Sequence, residues 1–329
     1  MADLTLAEDD PAALPFRPLL PEVRRYIREH RPADWPALVA LLGPLVDEPL
    51  DPLAVLPLAG CAAVGGDPRA AIPVAAAWTV LNLAVRVLDD LQDQDRPSGL
   101  WAAVGLPRAF NFAAALYTLS GALLAAAPWP AEQYRAITRC FTGQSLRLAA
   151  GQDRDLRGQT CGMEDYWRTI EEKNGAAFAL ACACGARCGT GDPELVTACH
   201  SFGHHLGLVL QLFDDFEGLW EPNGLGDLEA GKITLPVLYG LSVAHDRRAE
   251  LRQLVDGGDV VAHAGRIRAI LDGVHARDFV LWAALQERER ALQALAKCPG
   301  QTGVAALEAY VTVLFTHCGQ LVSGQHAGA

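Results

Sequence analysis

Three carboxylates, Asp89, Asp90 and Asp93, close the apolar run VLNLAVRVL at residues 80–88. On a helix, positions 89 and 93 stack on one face and 90 lies beside them. Acids held this close repel one another, and burial penalises their ionised forms unless cations compensate. Magnesium answers that need, because it takes hard oxygen ligands and keeps part of its coordination sphere for water and phosphate. The plain alternative is a solvated acidic helix end, with Arg86 pairing to Asp90 four residues on. Taken alone, the cluster leaves both readings open. A second cluster follows the apolar run SFGHHLGLVLQLF at residues 201–213: Asp214, Asp215, Glu217 and Glu221. Positions 214, 217 and 221 share one helical face. Bundle metal sites are built from side chains on facing helices. The pattern therefore predicts two acid clusters facing each other, with a diphosphate bridging the metals and an apolar cavity sheltering a hydrocarbon carbocation.

The elements that must position these acids read as helices. Alternating Val/Ile/Thr/Tyr runs with two-residue turns are missing, and Ala- and Leu-rich stretches recur between Pro and Gly. The patterning predicts helices over 22–30, 34–46, 52–64, 70–96, 106–127, 131–150, 164–188, 193–220, 232–245, 247–255, 260–271, 277–297 and 303–322. This is an all-α chain with one domain over 22–329, preceded by a mobile acidic, Pro-rich lead-in over 1–21. Hydrophobic residues make up 51% of the 329, which excludes a disordered chain. The net charge of −12 excludes nucleic acid as a general partner, since that binding needs clustered positive charge. It leaves a magnesium-bridged anion possible, because the metal brings the positive charge. The N-terminus has no basic region followed by an apolar core, so it reads as cytoplasmic rather than exported.

Nine cysteines are scattered along the chain, and reduced thiols fit that compartment. Cys182, Cys184 and Cys188, with Cys199, His200, His204 and His205 nearby, invite a zinc reading. Their spacing matches no paired CxxC framework, so small buried thiols are preferred. Residues 109–131 carry no charge and are long enough to span a bilayer. They read instead as a helix buried all round within a large helical protein.

Five motifs in order carry a resemblance to the trans-prenyl diphosphate synthases, the polyprenyl synthetase family of the class I isoprenoid synthase fold. Asp89-Asp90-Leu-Gln-Asp93 is similar to the first aspartate-rich motif, DDxxD. GQDRDL, with Gln152 and Asp155, is similar to a GQxxDL segment, and Glu172-Lys173-Asn174-Gly175-Ala176 resembles the substrate-binding KTxxL segment. Leu210-Gln211-Leu-Phe-Asp214-Asp215 resembles FQxxDD, and residues 226–236 resemble GDLxxGKxTLP. The resemblance implies a helical bundle around a central cavity, a homodimer, and about three magnesium ions. It implies Asp89, Asp90, Asp93, Asp214 and Asp215 as catalytic metal ligands, with Glu217 as a further metal ligand. It also implies Lys173, Gln211, Lys232 and Gln152 as substrate-binding residues for an allylic prenyl diphosphate.

The departures from the family pattern bear on function. Gly218 stands where the second motif has its last Asp, with Glu217 and Glu221 as possible substitutes. A basic GKRxRP segment that holds isopentenyl diphosphate in chain-elongating members is replaced by DEPLDPLAVLPLAGCAAVGG, residues 47–66, without Lys or Arg. Of the paired Arg after DDxxD only Arg96 is found. A second free diphosphate needs its own cationic cradle, so ionisation is expected to survive while elongation is weakened. The leading expectation is a magnesium-dependent enzyme acting on a C15 to C20 or longer allylic diphosphate, leaning to a terpene-synthase-like reaction.

Transfer to an unusual acceptor is the neighbouring reading, since DDLQDQDRPSGLW also resembles the enzymes that prenylate pheromone tryptophan. Conventional elongation survives if Arg69 or Arg108 rebuilds the cradle. A non-catalytic regulatory subunit is the remaining alternative. Val85 and Ala84, four and five residues before Asp89, would line the pocket floor, with Leu81 and Trp78 below. Trp101, Phe110 and Phe112 could face a carbocation or simply fill the core.

Overall fold

The fold is taken from a computed structural model that describes residues 15–47, 52–93, 100–158, 162–220, 228, 232–257 and 259–322. Among these residues there is no strand. The helices are α1 (Leu20–His30), α2 (Pro36–Leu41), α3 (Gly43–Asp47), α4 (Val55–Ala63), α5 (Ile72–Asp93), α6 (Leu100–Val104), α7 (Leu106–Ala125) and α8 (Ala131–Leu156). They continue with α9 (Met163–Ile170), α10 (Ala176–Gly189), α11 (Pro193–Trp220), α12 (Leu235–Ser242), α13 (Arg248–Asp256), α14 (Ala264–Gly273), α15 (Ala276–Ala294) and α16 (Gln301–Val322). Among the described residues the first helical turn is a 3-10 turn at Arg17–Leu19, with Phe16 buried before it. Two apolar side chains of the expected lead-in, Phe16 and Leu19, are buried.

Contacts divide the chain into two compact units interleaved along the sequence. One holds the described residues up to Gln144, then 178–203 and those from Leu292 on; the other holds 145–177 and 204–291. Helices α8, α10, α11 and α15 pass from one into the other, which is why no linker composition marks a boundary.

In the first unit α5 is the central element. Pro73 sits in its first turn, where a missing N–H costs nothing. The run that follows has no Gly or Pro and packs against α1, α4 and α7. The segment Pro68–Gln92 is the one described helical stretch long and apolar enough to cross a membrane, and 72% of its apolar window is buried in the fold. Helix α4 is apolar on every side, and all its residues but Ala62 are buried. It packs on α16 through glycine. Gly300 N–H donates to Ala63 O at 2.9 Å, and a Cβ at Gly303 would lie 2.1 Å from Ala63 N. Gly303→Val is therefore expected to cost about 1–3 kcal/mol by overpacking, read as a lower midpoint in thermal unfolding.

Helix α7 corrects one expectation. It ends at Ala125, before Pro128 and Pro130, and it is buried along one face rather than all round. Ala109, Phe112, Leu116, Leu119 and Leu123 point inward, while Phe110, Ala114, Thr118 and Gly121 are exposed. Ala and Gly suit either environment, so apolar composition alone did not reveal the open face.

In the second unit, α12, α13 and α14 close over the end of α11 through Leu219, Val237, Leu241, Leu251, Ile267 and Leu271. Arg268 Nε donates to Leu219 O at 2.6 Å and Trp220 Nε1 donates to Asp272 at 2.9 Å, so the last turn of α11 is capped by side chains.

The expected helix over 164–188 is interrupted. Glu171–Gly175 forms a π turn between α9 and α10. Gly207 of α11 approaches so closely that a Cβ there would meet Asn174 O at 2.3 Å, and a Cβ at Gly175 would meet the His204 ring at 2.6 Å. Two glycines thus let α11 pack against a widened turn.

Candidate active site

In the first unit, Asp89 and Asp90 are half-buried on the last turns of α5. Asp93 ends the helix, and its side chain lies outside the described residues. Behind the acids the helix turns inward: Ala84, Leu81 and Trp78 are buried, while Val85 is half-buried. Trp78 meets Phe178 edge-on at 5.9 Å. Phe112 stacks on Trp35 at 5.8 Å and Phe110 is 50% exposed, so Phe112 fills core.

In the second unit, the adjacent acids of α11 behave differently. Asp214 is half-buried, whereas Asp215 is 2% exposed. Both Asp215 oxygens accept bonds from protein donors. Tyr166 OH donates to Oδ2 at 2.7 Å, Leu235 N–H donates to the same oxygen at 2.8 Å, and Gln211 Nε2 donates to Oδ1 at 2.8 Å. Asp215 therefore ties α9 and the first residue of α12 to α11. Gln211, expected as a substrate contact, spends an amide hydrogen on that carboxylate. Glu217 is half-buried, and Glu221 lies outside the described residues, as do Gly226, Asp227, Gly231 and Arg96.

The π turn carries the cationic side of this unit. Lys173 Nζ lies 2.9 Å from Asp155 Oδ2 and Lys232 Nζ lies 4.0 Å from the same oxygen. Gly151 makes this possible: a Cβ there would sit 2.5 Å from Lys173 N, so only glycine lets α8 approach the turn this closely. Arg154 Nε and Nη2 donate to Glu172 Oε2 at 3.3 and 3.2 Å, and Arg168 Nε reaches Glu172 Oε1 at 3.4 Å. Glu172, the residue before Lys173, is thus held by two arginines. Gln152 is half-buried beside Gly151. Lys173, Asp155 and Lys232, which the motifs single out, are brought together here. Sequence reasoning missed Tyr166, Gly151, Gly175 and Gly207, whose value appears only against their partners.

Both ammonium groups thus face one carboxylate oxygen. Lys173→Ala is expected to raise KM for a diphosphate substrate roughly tenfold to a hundredfold, the loss of one charge-assisted bond. Steady-state kinetics would show it.

The region of the missing basic segment is filled by packing. Residues 52–66 of it are described, and α4 within them has no cation and almost no exposed surface. The two arginines named as replacements each have a contact of their own. Arg69 Nη2 lies 3.5 Å from Glu22 Oε1, and the Arg108 guanidinium lies over the Phe112 ring at 5.7 Å.

Among the described residues no group of three or more His, Cys, Asp or Glu is placed to hold a metal ion. The thiols and imidazoles raised for zinc have other partners: His200 bonds Gln144 at 2.8 Å, and His205 Nδ1 bonds the buried Glu287 at 2.7 Å. In the first unit Asp89 and Asp90 are hard oxygen donors, and in the second so is the half-buried Asp214; each is the ligand type that magnesium takes, one or two at a time beside phosphate.

The polyprenyl synthetase family model matches residues 52–274. The chain belongs to the polyprenyl synthetase family. It is similar to geranylgeranyl diphosphate synthase from Mycobacterium tuberculosis, 33% identical over 215 residues, which are 61% of this chain and 61% of that one. The match thus spans about three fifths of that relative's length. It is also similar to tryptophan prenyltransferase ComQ from Bacillus subtilis subsp. natto, 28% identical over 159 residues, 48% of this chain and 49% of that one. Among solved structures it is similar to the polyprenyl synthase from Caulobacter crescentus in complex with calcium and isoprenyl diphosphate. That similarity has a TM-score of 0.79 at 22% identity, over 92% of this chain and 96% of that one. This polyprenyl synthetase family member thus has the all-α isoprenoid synthase fold. Its relatives named here are prenyl-transferring enzymes, and they lend no support to the terpene-synthase lean.

Proposed function

We propose that this polyprenyl synthetase ionises a C15 to C20 allylic prenyl diphosphate and transfers the prenyl group to an acceptor that carries no diphosphate. The observation that carries this reading is α4: where an isopentenyl diphosphate cradle is expected, the chain places a buried apolar helix without a cation. Asp89, Asp90 and Asp214 would hold magnesium, with Asp93 and Glu217 contributing. When bound, magnesium neutralises the departing diphosphate as a Lewis acid. Lys173 and Lys232 would leave Asp155 for the diphosphate oxygens and hold the leaving group. Asp215 would keep the segment leading from Lys232 into α12 in position. The buried floor at Trp78 lies eleven residues before Asp89, about 16 Å along the helix. That depth supports the C15 to C20 range.

The homodimer and the cytoplasmic setting belong to the same proposal. Leu106 and Phe110 are exposed on the open face of α7, a surface that a second copy would cover, and sedimentation would show it. The described cysteines are all free thiols.

The test is product analysis with magnesium and geranylgeranyl or farnesyl diphosphate in three arms: no acceptor, isopentenyl diphosphate, and a tryptophan-containing peptide. A prenylated peptide with diphosphate released would support the transfer reading. A longer prenyl diphosphate in the second arm would overturn it and restore elongation, the reading favoured by the mycobacterial relative. Rapid formation of a hydrocarbon or alcohol without acceptor would replace transfer by a terpene-synthase reaction. No diphosphate release in any arm would sink the ionisation step and point to a regulatory subunit.

A further inference from the structure

Lys173 sits in the middle of a turn that ordinary α geometry would not produce. Ala176 N–H donates to Glu171 O, five residues back, as well as to Lys173 O. A five-residue step inserts one residue into the helix, and each residue turns it by about 100°. Closing the turn to α geometry would swing Lys173 by about that angle relative to α10. Nζ would then leave Asp155 Oδ2, which it now meets at 2.9 Å. Isolated π turns are rare, and the packing around this one shows what holds it open. From α8, Gly151 lies against the Lys173 backbone, where a Cβ would come within 2.5 Å of Lys173 N. From α11, Gly207 lies against Asn174 O, and the His204 ring takes the place of a side chain at Gly175. A Cβ there would meet His204 Nδ1 at 2.6 Å and Cε1 at 2.8 Å. Positions 204 and 207 are neighbours on one helical face. Gly207 permits close approach, whereas His204 supplies bulk. Asn174 and Gly175 are buried, so the ring makes this contact inside the fold.

The ring has a firm base. His205, the next residue, bonds Glu287 Oε2 of α15 through Nδ1 at 2.7 Å. Glu287 is buried and also pairs with Arg290. The two imidazoles meet edge-on, with 5.2 Å between ring centres. The backbone at His204 is thus tied through its neighbour to α15, and its ring has His205 against one side.

We propose that His204 is a positioning residue: its ring wedges the π turn open at Gly175 and so keeps Lys173 turned toward the diphosphate. The inference rests on the reading of Lys173 as a diphosphate ligand. His204 acts through that lysine and does not touch the substrate. Its imidazole serves by shape, with no proton to move and no metal to hold.

The probe is inorganic diphosphate with magnesium, titrated calorimetrically into the full chain at a temperature below every variant's thermal midpoint. His204→Ala is expected to weaken diphosphate binding about tenfold, within the loss expected of Lys173→Ala. His204→Phe, which keeps a ring of similar bulk, is expected to bind within about twofold of the wild type. Gly175→Ala puts a Cβ where the ring lies and is expected to weaken binding about tenfold as well; it carries the test if His204→Ala does not fold. In the Lys173→Ala background, His204→Ala is expected to add less than about twofold, because its effect passes through the lysine. Wild-type affinity in a folded His204→Ala, or in Gly175→Ala, would overturn the proposal. So would an undiminished loss in the Lys173→Ala background, or a His204→Phe variant as weak as His204→Ala. Each of those results leaves Lys173 as a diphosphate ligand. The reading of Lys173 fails differently: no magnesium-dependent diphosphate binding by the wild type, or binding that Lys173→Ala leaves intact, would remove both.

Discussion

Replacing Asp89 by alanine is expected to lower kcat about a thousandfold or more while leaving the thermal midpoint nearly unchanged. The size follows from the chemistry proposed for α5. A metal-held diphosphate gains several kcal/mol of charge stabilisation as it departs, and each 1.36 kcal/mol is about tenfold in rate. The separation from stability follows from where α5 gets its packing. Trp78, Leu81 and Ala84 are buried in the preceding turns, whereas Asp89 is half-buried at the helix end. Removing a partly solvated carboxylate leaves the apolar packing of the preceding turns in place. Diphosphate release from an allylic substrate, measured beside a melting curve, checks both halves. A large drop in midpoint would mean that the first cluster serves the fold.

The second large effect is the reverse. Asp215→Ala is expected to destabilise the chain by about 3–5 kcal/mol, the range for breaking a buried, hydrogen-bonded charge. Three donors would lose their acceptor at once: Tyr166 OH, Gln211 Nε2 and Leu235 N–H. The last of these begins α12, three residues after Lys232, so residual enzyme is expected to show a raised KM as well. Asp214→Asn, one residue away, is expected to unfold like the wild type and to lose magnesium-dependent turnover. The pair of variants separates anchoring from metal holding on neighbouring carboxylates. Equal unfolding midpoints for the two would contradict that division.

That division also shows where sequence reading stops. Asp214 and Asp215 belong to one motif, and nothing local distinguishes them. Their different fates are set by Tyr166, which lies 49 residues earlier in the chain. The long helices were legible because their apolar periodicity is sustained; 193–220 was expected and α11 is Pro193–Trp220. The π turn was not, since one extra residue in a turn barely disturbs the same periodicity. Gly151, Gly175 and Gly207 had no signature of their own, because a glycine that permits close approach is recognised only by the backbone or ring it meets. The one-sided burial of α7 was hidden by its alanines. By contrast, the missing cationic cradle was readable directly, as the absence of Lys and Arg over 47–66. The structure adds that Val55–Ala63 of it is a buried helix, and that Arg69 lies beside Glu22 and Arg108 over the Phe112 ring.

The central claim is that the allylic diphosphate site is kept while the isopentenyl diphosphate site is lost. Calorimetric titration of the full chain in magnesium tests it most directly, using geranylgeranyl thiolodiphosphate, which ionises slowly, and isopentenyl diphosphate as separate ligands. The expected result is saturable, magnesium-dependent binding of the first, weakened in Lys173→Ala, and no saturable binding of the second. Tight binding of isopentenyl diphosphate, or allylic binding that is indifferent to magnesium, would contradict it.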